Sequence, residues 1–232
     1  GFFGILYEWA FLYCSLILFV SFGLALTLPF RKEKRIAVAR FPKKLIKRNA
    51  PIYLSMLVRH TGANMIWVTY PLFLMTIGAD EALVGVIYAI NAFSQFTIMN
   101  FIDRYEPSVL VAFGLAASAV TFLLFTMVGS YWEIIPAQVL LASSWACMYV
   151  GSLRYVMDKN EEKATATGIL ASTMSISGIL GPLLGGIVAT VAGFRGTMAI
   201  ASLLALAGLI LFFYELKVAG ELYRLRASSR GR

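Results

Sequence analysis

The sequence is poor in charge, cysteine and histidine, and each shortage argues against a class of protein. Only 14% of its 232 residues are charged while 59% are hydrophobic, more apolar surface than one soluble core of this length can bury. The cysteines, Cys14 and Cys147, lie inside apolar stretches and neither prove nor need a disulfide. With His60 as the single histidine, there is no CxxC motif and no Cys/His metal cluster. We therefore expect no metal and no other cofactor.

Features of membrane-embedded enzymes and of secretory leaders are also missing. The sequence has no HExxH and no GxSxG motif, and its 12 acidic residues fall at predicted helix ends or in loops, so no buried acidic pair is available. An enzyme, or a non-transporting scaffold or sensor, is a distant alternative. Because Gly1 begins the sequence without a signal peptide, we expect a piece of a longer protein.

Long apolar runs are what the sequence has, and its mean hydropathy is +0.78. A helix needs about 20 apolar residues to cross the hydrocarbon core of a bilayer. Seven stretches are long enough: 8–29, 51–77, 82–101, 108–129, 133–154, 164–192 and 197–216. The fold class predicted is therefore all-α, a polytopic transmembrane helical bundle.

The positive charge is concentrated on one side of these spans. The net charge is +8, and nine of the 20 lysines and arginines lie between Arg31 and Arg48. Placing that loop in the cytoplasm puts 18 of the 20 on the inner side, which also makes the C-terminus cytoplasmic. We expect the loop to contact anionic lipid and no nucleic acid, either as an interfacial helix broken near Pro42 or as a solvated linker.

A glycine-rich helix is predicted around the segment "SGILGPLLGG" at 177–186. Gly178, Gly181 and Gly185 recur at spacings of three and four, which predicts a groove for a close-packed helix, and Pro182 permits a kink. Static packing of two helices explains this glycine pattern as well as the movement of one helix against the other does.

The same helix resembles the fifth helix of antiporters of the major facilitator superfamily. Their motif is a glycine, eight residues, a glycine, three residues, Gly-Pro, two residues and Gly-Gly. Here it reads Gly168, Ser177, Gly181-Pro182 and Gly185-Gly186, with Ser177 as the departure. These residues are the gating candidates.

The resemblance implies two six-helix halves, each built from inverted three-helix repeats. It assigns 1–29 to the last helix of an N-terminal half, 30–50 to a basic central loop, 51–216 to the C-terminal half and 217–232 to a cytoplasmic tail. We expect residues 1–232 to be inactive without the other half, and expect a coupling carboxylate to lie there.

A second family motif is only partly present in "MNFIDRYEPS" at 99–108. Asp103 and Arg104 match the loop that latches the inner gate, whereas Met99, Glu106 and Pro107 depart from it. A plain connecting turn is the alternative.

Polar and aromatic side chains form stripes on the predicted helices, where they face a bundle interior or a cavity. The cavity candidates are His60, Asn64, Trp67, Tyr88, Asn91, Gln95, Gln138, Trp145, Tyr149, Ser172 and Ser175. For any one of them, hydrogen bonding between helices is an equal explanation. Amides beside aromatic rings suit a neutral or amphiphilic solute.

Two ionisable residues lie well inside a span. We expect Arg59 to snorkel to the inner headgroups, with an anion site as the alternative. His60 either exchanges protons or is neutral and hydrogen-bonded.

These features together predict a transporter of the plasma membrane that moves a small solute by alternating access. The glycine motif favours proton-coupled efflux by antiport. A symporter or uniporter for a sugar or another metabolite is the alternative.

Overall fold

A computed structural model describes residues 2–29 and 42–230, with side chains for 9–29 and 42–218. In these residues the chain forms helices and short connections and no strand, so the all-α prediction is confirmed. The helices are α1 (Phe2–Leu26), α2 (Lys43–Arg48), α3 (Ala50–Trp67), α4 (Tyr70–Thr76), α5 (Glu81–Met99), α6 (Pro107–Met127), α7 (Tyr131–Asp158) and α8 (Lys163–Arg230).

Five of the described helices are long and apolar enough to cross a membrane: α1, α5, α6, α7 and α8. The predicted span 51–77 corresponds to α3 and α4, which are separated at Val68 and Thr69. The predicted lipid-binding loop lies largely outside the described residues, and α2 begins directly after Pro42. The domain bounds proposed above remain a prediction, although α1 and the remaining helices form separate compact units.

Side-chain caps and prolines set where α5 and α6 begin. The Leu83 N–H donates to Asp80 Oδ1 at 2.8 Å, and the Val109 N–H donates to Glu106 Oε2 at 3.0 Å. Burial alone raises the pKa of Glu106, but bonds from Val109 and Ser108 outweigh it and hold that pKa below its ordinary value. Pro107 then occupies the first turn of α6.

Helix α8 is broken into two arms at Gly193. The backbone there has φ 69° and ψ −178°, a conformation that is open essentially only to glycine. The apolar part of α8 has 56 residues, which as one straight helix would extend about 84 Å, far beyond one bilayer. The break therefore separates the two predicted spans 164–192 and 197–216.

Both arms of α8 pack against α3, which places α3 at the centre of its unit. The first arm meets α3 through Gly181 and Gly185, and the second through Ala201 and Gly208. Two arms that contact the same helix must run back past each other, so the chain reverses direction at the break.

The two larger apolar clusters of this unit lie at opposite ends of α3, and a smaller one, which includes Leu110 and Cys147, joins α6 to α7. The α2-side cluster includes Ile52, Met56, Leu115, Met148 and Phe212. The α4-side cluster includes Ala63, Tyr70, Phe122, Leu141 and Ala201. Of the polar residues described next, Tyr70 belongs to the α4-side cluster and Arg59 lies on α3 between the two clusters.

Candidate functional site

Four polar side chains from three helices form an amide cluster, which we define as Tyr70, Asn91, Gln95 and Gln138. The Asn91 amide donates to Gln138 Oε1 at 2.9 Å and to the Gln138 carbonyl at 3.2 Å. Gln95 Nε2 donates to Asn91 Oδ1, and Gln138 Nε2 donates to the Tyr70 hydroxyl. Asn91, Gln138 and Tyr70 are buried, so α4, α5 and α7 are joined by a polar network inside the protein.

The accessible edge of the amide cluster is Gln95, and Tyr88 lies beside the cluster. Gln95 is half-buried, and Tyr88 is 36% exposed. Among the described residues no donor reaches the Gln95 side-chain oxygen, which leaves an acceptor at the surface of the unit. The fully buried pair Asn91–Gln138 orients this edge and cannot itself be reached by a solute in this conformation.

An aromatic group borders the cluster. The Trp67 ring centroid lies 5.3 Å from that of Tyr70 and 5.5 Å from that of Tyr88. Tyr70 and Tyr88 are 5.9 Å apart in an edge-on arrangement. The polar edge therefore adjoins apolar ring faces, a combination that suits an amphiphilic molecule.

A second aromatic group, the aromatic stack of His60, Trp145 and Tyr149, lies further along α3 and α7. His60 stacks on Trp145 at 5.0 Å, and Trp145 stacks on Tyr149 at 5.4 Å. All three side chains are half-buried, yet His60 Nδ1 is enclosed and has no hydrogen-bond partner within the described part of the chain. A buried polar atom without a partner is unusual.

Three of the predicted cavity residues are not joined to either group. Asn64 donates to the His60 carbonyl of its own helix at 2.9 Å. The exposed hydroxyls of Ser172 and Ser175 donate to Gly168 and Ala171 in their own helix, at 2.9 and 3.1 Å. Whether any of the eleven candidates binds a solute remains a prediction.

Arg59 does not snorkel, so that expectation was wrong. The side chain is 2% exposed and is enclosed by α3, α6 and α7. Its Nε donates to Ser118 Oγ at 2.8 Å and its Nη2 lies 3.5 Å from Ser144 Oγ. Two aromatic rings also cover the guanidinium, from Phe122 and Trp145, and these neighbours hold it inside the protein.

Only one side of the glycine motif contacts α3. A methyl group added at Gly185 would lie 2.5 Å from the Met65 carbonyl oxygen, and one at Gly181 would lie 2.8 Å from that of Thr61. Gly178 faces open space, as do Gly168 and Gly186. The predicted grouping of Gly178 with Gly181 and Gly185 was therefore wrong, because positions four residues apart share the contact face more closely.

Ser177 completes the contact face where the family motif has glycine. It is fully buried and donates to the Leu57 carbonyl of α3 at 3.1 Å and to Thr173 at 3.0 Å. The departure from the motif thus adds a polar contact between α3 and α8. Pro182, which follows Gly181 in the motif, is half-buried.

The turn that carries Asp103 and Arg104 is held by a residue that the sequence did not single out. Arg154 of α7 donates through Nη1 to the carbonyls of Asp103 and Tyr105. Arg104 lies over its neighbour Tyr105, 5.3 Å from the ring centre, and is exposed, as is Asp103. An arginine one turn from the end of α7 was the only available sequence signal.

Comparison with known proteins gives one family. The model of the Major Facilitator Superfamily matches residues 52–227, most of the chain. No curated protein sequence matches the chain.

Proposed function

Because the chain belongs to the major facilitator superfamily, a family of membrane transporters, we propose that it exports a small amphiphilic solute in exchange for protons. It is an integral, multi-pass membrane protein, and members of its family move small solutes. The proposal concerns the direction of transport, the coupling of transport to protons and the chemical class of the solute. The observation that carries the proposal is the glycine motif of α8, whose Ser177–Gly181–Gly185 face lies against α3.

The close contact between α3 and α8 suits alternating access, in which two six-helix halves rock around a site at mid-membrane. Glycine at 181 and 185 lets the two backbones approach without intervening side chains. Pro182 lacks a backbone N–H, so α8 bends more easily at that point. We propose that this pair of helices seals and opens one end of the pathway.

For solute binding we propose the accessible edge of the amide cluster and the aromatic groups beside it. Gln95 offers an acceptor, and Tyr88 and Trp67 offer ring faces. Asn91, Gln138 and Tyr70 would hold this edge in place, and Ser172 and Ser175 would face the same pathway from α8. Solute contacts of this kind need no metal or cofactor.

For gating on the cytoplasmic side we propose the turn at Asp103 and Arg104. Arg154 fixes the backbone of this turn and leaves both charged side chains exposed. They are thereby available to the opposite half. The basic loop at 30–50 and the C-terminal tail belong to this side in the proposed orientation, and the membrane proposed is the plasma membrane.

Proton coupling is proposed to use a carboxylate of the N-terminal half. The acidic residues of this sequence lie outside the apolar spans or close to their ends, and His60 is the single histidine of the sequence.

The proposal is tested with the full-length protein in liposomes that contain a trapped pH dye. Three fluorescent amphiphiles serve as probes: carboxyfluorescein, ethidium and an uncharged coumarin glucoside. We expect an imposed proton gradient to drive at least one of them, with protons moving in the opposite direction. Protons moving with the probe would instead support a symporter, and flux without proton movement would support a uniporter.

The site is tested in the same liposomes. Asn91→Ala and Gln95→Ala should each lower the transport rate at low probe concentration by about tenfold, the worth of one well-formed hydrogen bond. Asn100→Ala is the matched control, because the Asn100 amide is exposed and bonds only within α5. If Asn91→Ala and Gln95→Ala both transport at the unmodified rate, Asn91 and Gln95 are not part of the solute site.

A further inference from the structure

Arg59 is a positive charge at mid-membrane without an acidic partner in the described part of the chain. It lies about 14 Å along α3 from Ala50, within the span formed by α3 and α4. The one ion pair among the described side chains is Arg48–Glu162, at the end of the unit. A buried charge is costly unless it is paired, so this arginine needs a counter-charge during part of the transport cycle.

The neighbours of Arg59 are neutral and leave hydrogen-bond donors unused. A guanidinium has five N–H groups, whereas here Nε bonds well to Ser118 and Nη2 only distantly to Ser144. Nη1 has no partner within the described residues. The Ser118 and Ser144 hydroxyls accept hydrogen bonds from Arg59 but carry no negative charge. The rings of Phe122 and Trp145 compensate only part of the cost of burying the positive charge.

Arg59 lies in a polar layer that divides the apolar core. On α3 it falls between Met56 of the α2-side cluster and Ala63 of the α4-side cluster. Ser118 on α6 and Ser144 on α7 fall between the same two clusters. The three residues therefore meet at one depth, walled by hydrocarbon on both sides, where an opposite charge would be held strongly.

The aromatic stack connects this layer to an accessible face. Trp145 contacts the Arg59 guanidinium, 5.5 Å from the ring centre, and stacks on His60. Tyr149 continues the stack and, like Trp145, is half-buried. His60 Nδ1, which is enclosed and has no partner among the described residues, can donate a hydrogen bond when that nitrogen carries the proton.

We propose that Arg59 and His60 bind a single oxyanion, a carboxylate or phosphate, carried by the transported solute. This inference rests on the proposed function and narrows its amphiphilic solute to an organic anion. The guanidinium supplies the charge and its free N–H groups, and His60 Nδ1–H supplies a further bond. Trp145 and Tyr149 pack against the apolar part of the solute.

Direct binding tests the inference separately from transport. Thermal unfolding of the purified full-length protein in detergent is followed with benzoate, with phenyl phosphate and with benzamide, the uncharged analogue of benzoate, at constant ionic strength. A ligand that binds the folded state raises the unfolding midpoint. We expect a saturable rise with benzoate or phenyl phosphate and none with benzamide.

Variants then locate the bound anion. Arg59→Gln should weaken apparent anion affinity by at least about tenfold, Arg59→Lys should retain part of it, and His60→Gln should weaken it less than Arg59→Gln does. Arg195→Gln is the control, since Arg195 bonds carbonyls at the far end of α6. Should Arg59→Gln fail to fold, the comparison of benzoate with benzamide in the unmodified protein decides alone.

Stabilisation by benzamide equal to that by the anions, or no stabilisation by either benzoate or phenyl phosphate, would overturn the inference. An unchanged response of folded Arg59→Gln to the stabilising anion would overturn it as well. Neither result bears on proton counterflow in liposomes. Conversely, a failure of antiport would leave a positive anion-binding result intact.

Discussion

Tyr70 illustrates how a single buried residue is held by other helices. Its ring is fully buried, 5.6 Å from the ring of Phe125, and its hydroxyl accepts the Gln138 amide. Gln138 in turn accepts from Asn91. The polar stripes in the sequence indicated Asn91 and Gln138 but not Tyr70, because the hydrogen-bond partner of Tyr70 is 68 residues away on a separate helix.

Tyr70→Phe should destabilise the protein by about 1–3 kcal/mol, because the Gln138 amide would lose its acceptor in a buried site. Thermal or denaturant unfolding in detergent measures this. Tyr88→Phe is the matched control, since the Tyr88 hydroxyl has no partner among the described residues and the ring is partly exposed. Equal losses in the two variants would contradict the assigned hydrogen bond.

Helix α8 combines a contact face and an open face within one glycine motif. Positions 177, 181 and 185 lie against α3, whereas 168, 178 and 186 do not. The contact face brings the backbone of α8 next to the carbonyls of α3. The packing of α8 against α3 therefore depends on which glycine is changed and not on how many glycines remain.

Gly185→Ala should separate α3 from α8, because the added carbon would lie 2.7 Å from Met65 Cα. Overpacking of this kind typically costs about 1–3 kcal/mol, and we expect slower transport as well. Gly178→Ala has no atom near its added carbon and should leave the stability unchanged or slightly raised. Unfolding midpoints and initial transport rates of both variants measure the difference. Equal behaviour of the pair would argue against a close-packed contact at Gly185.

The whole molecule is organised by the alternation of its connections between two ends. The α2–α3, α5–α6 and α7–α8 connections lie at one end, and the α4–α5 and α6–α7 connections and the α8 break lie at the other. At the first end Arg48 pairs with Glu162 at 3.0 Å, and the buried amides of Asn49 and Asn160 bond reciprocally. The first end carries most of the basic residues, which favour the cytoplasm.

Single cysteines in a cysteine-free protein should therefore label from opposite sides of the membrane. Asp80→Cys and Ser130→Cys should react with an impermeant maleimide from outside intact cells, whereas Glu161→Cys should react only after permeabilisation. All three positions lie in connections between helices. Labelling of Asp80→Cys from the cytoplasmic side would contradict the proposed orientation. Labelling of Asp80→Cys and Glu161→Cys from the same side would contradict the alternation of the connections.

Hydropathy along the sequence was sufficient for the class of the fold, and charge for the proposed orientation. Each depends on sums over about 20 neighbouring residues, and transfer free energies of this kind need no tertiary information. The glycine motif was equally visible, because its spacing is local. The fold class was confirmed by the helices, and the family, which the glycine motif indicated, was confirmed by the family match.

Only the tertiary structure decided which side chains meet. The rotation of each helix about its own axis places Ser177, and not Gly178, in contact with α3. The same rotation joins Asn91 to Gln138 and encloses Arg59 between α6 and α7, whereas the sequence favoured a side chain that snorkels to the inner headgroups. Such contacts arise from the packing of helices far apart in the chain, and no local sum of residue properties specifies that packing.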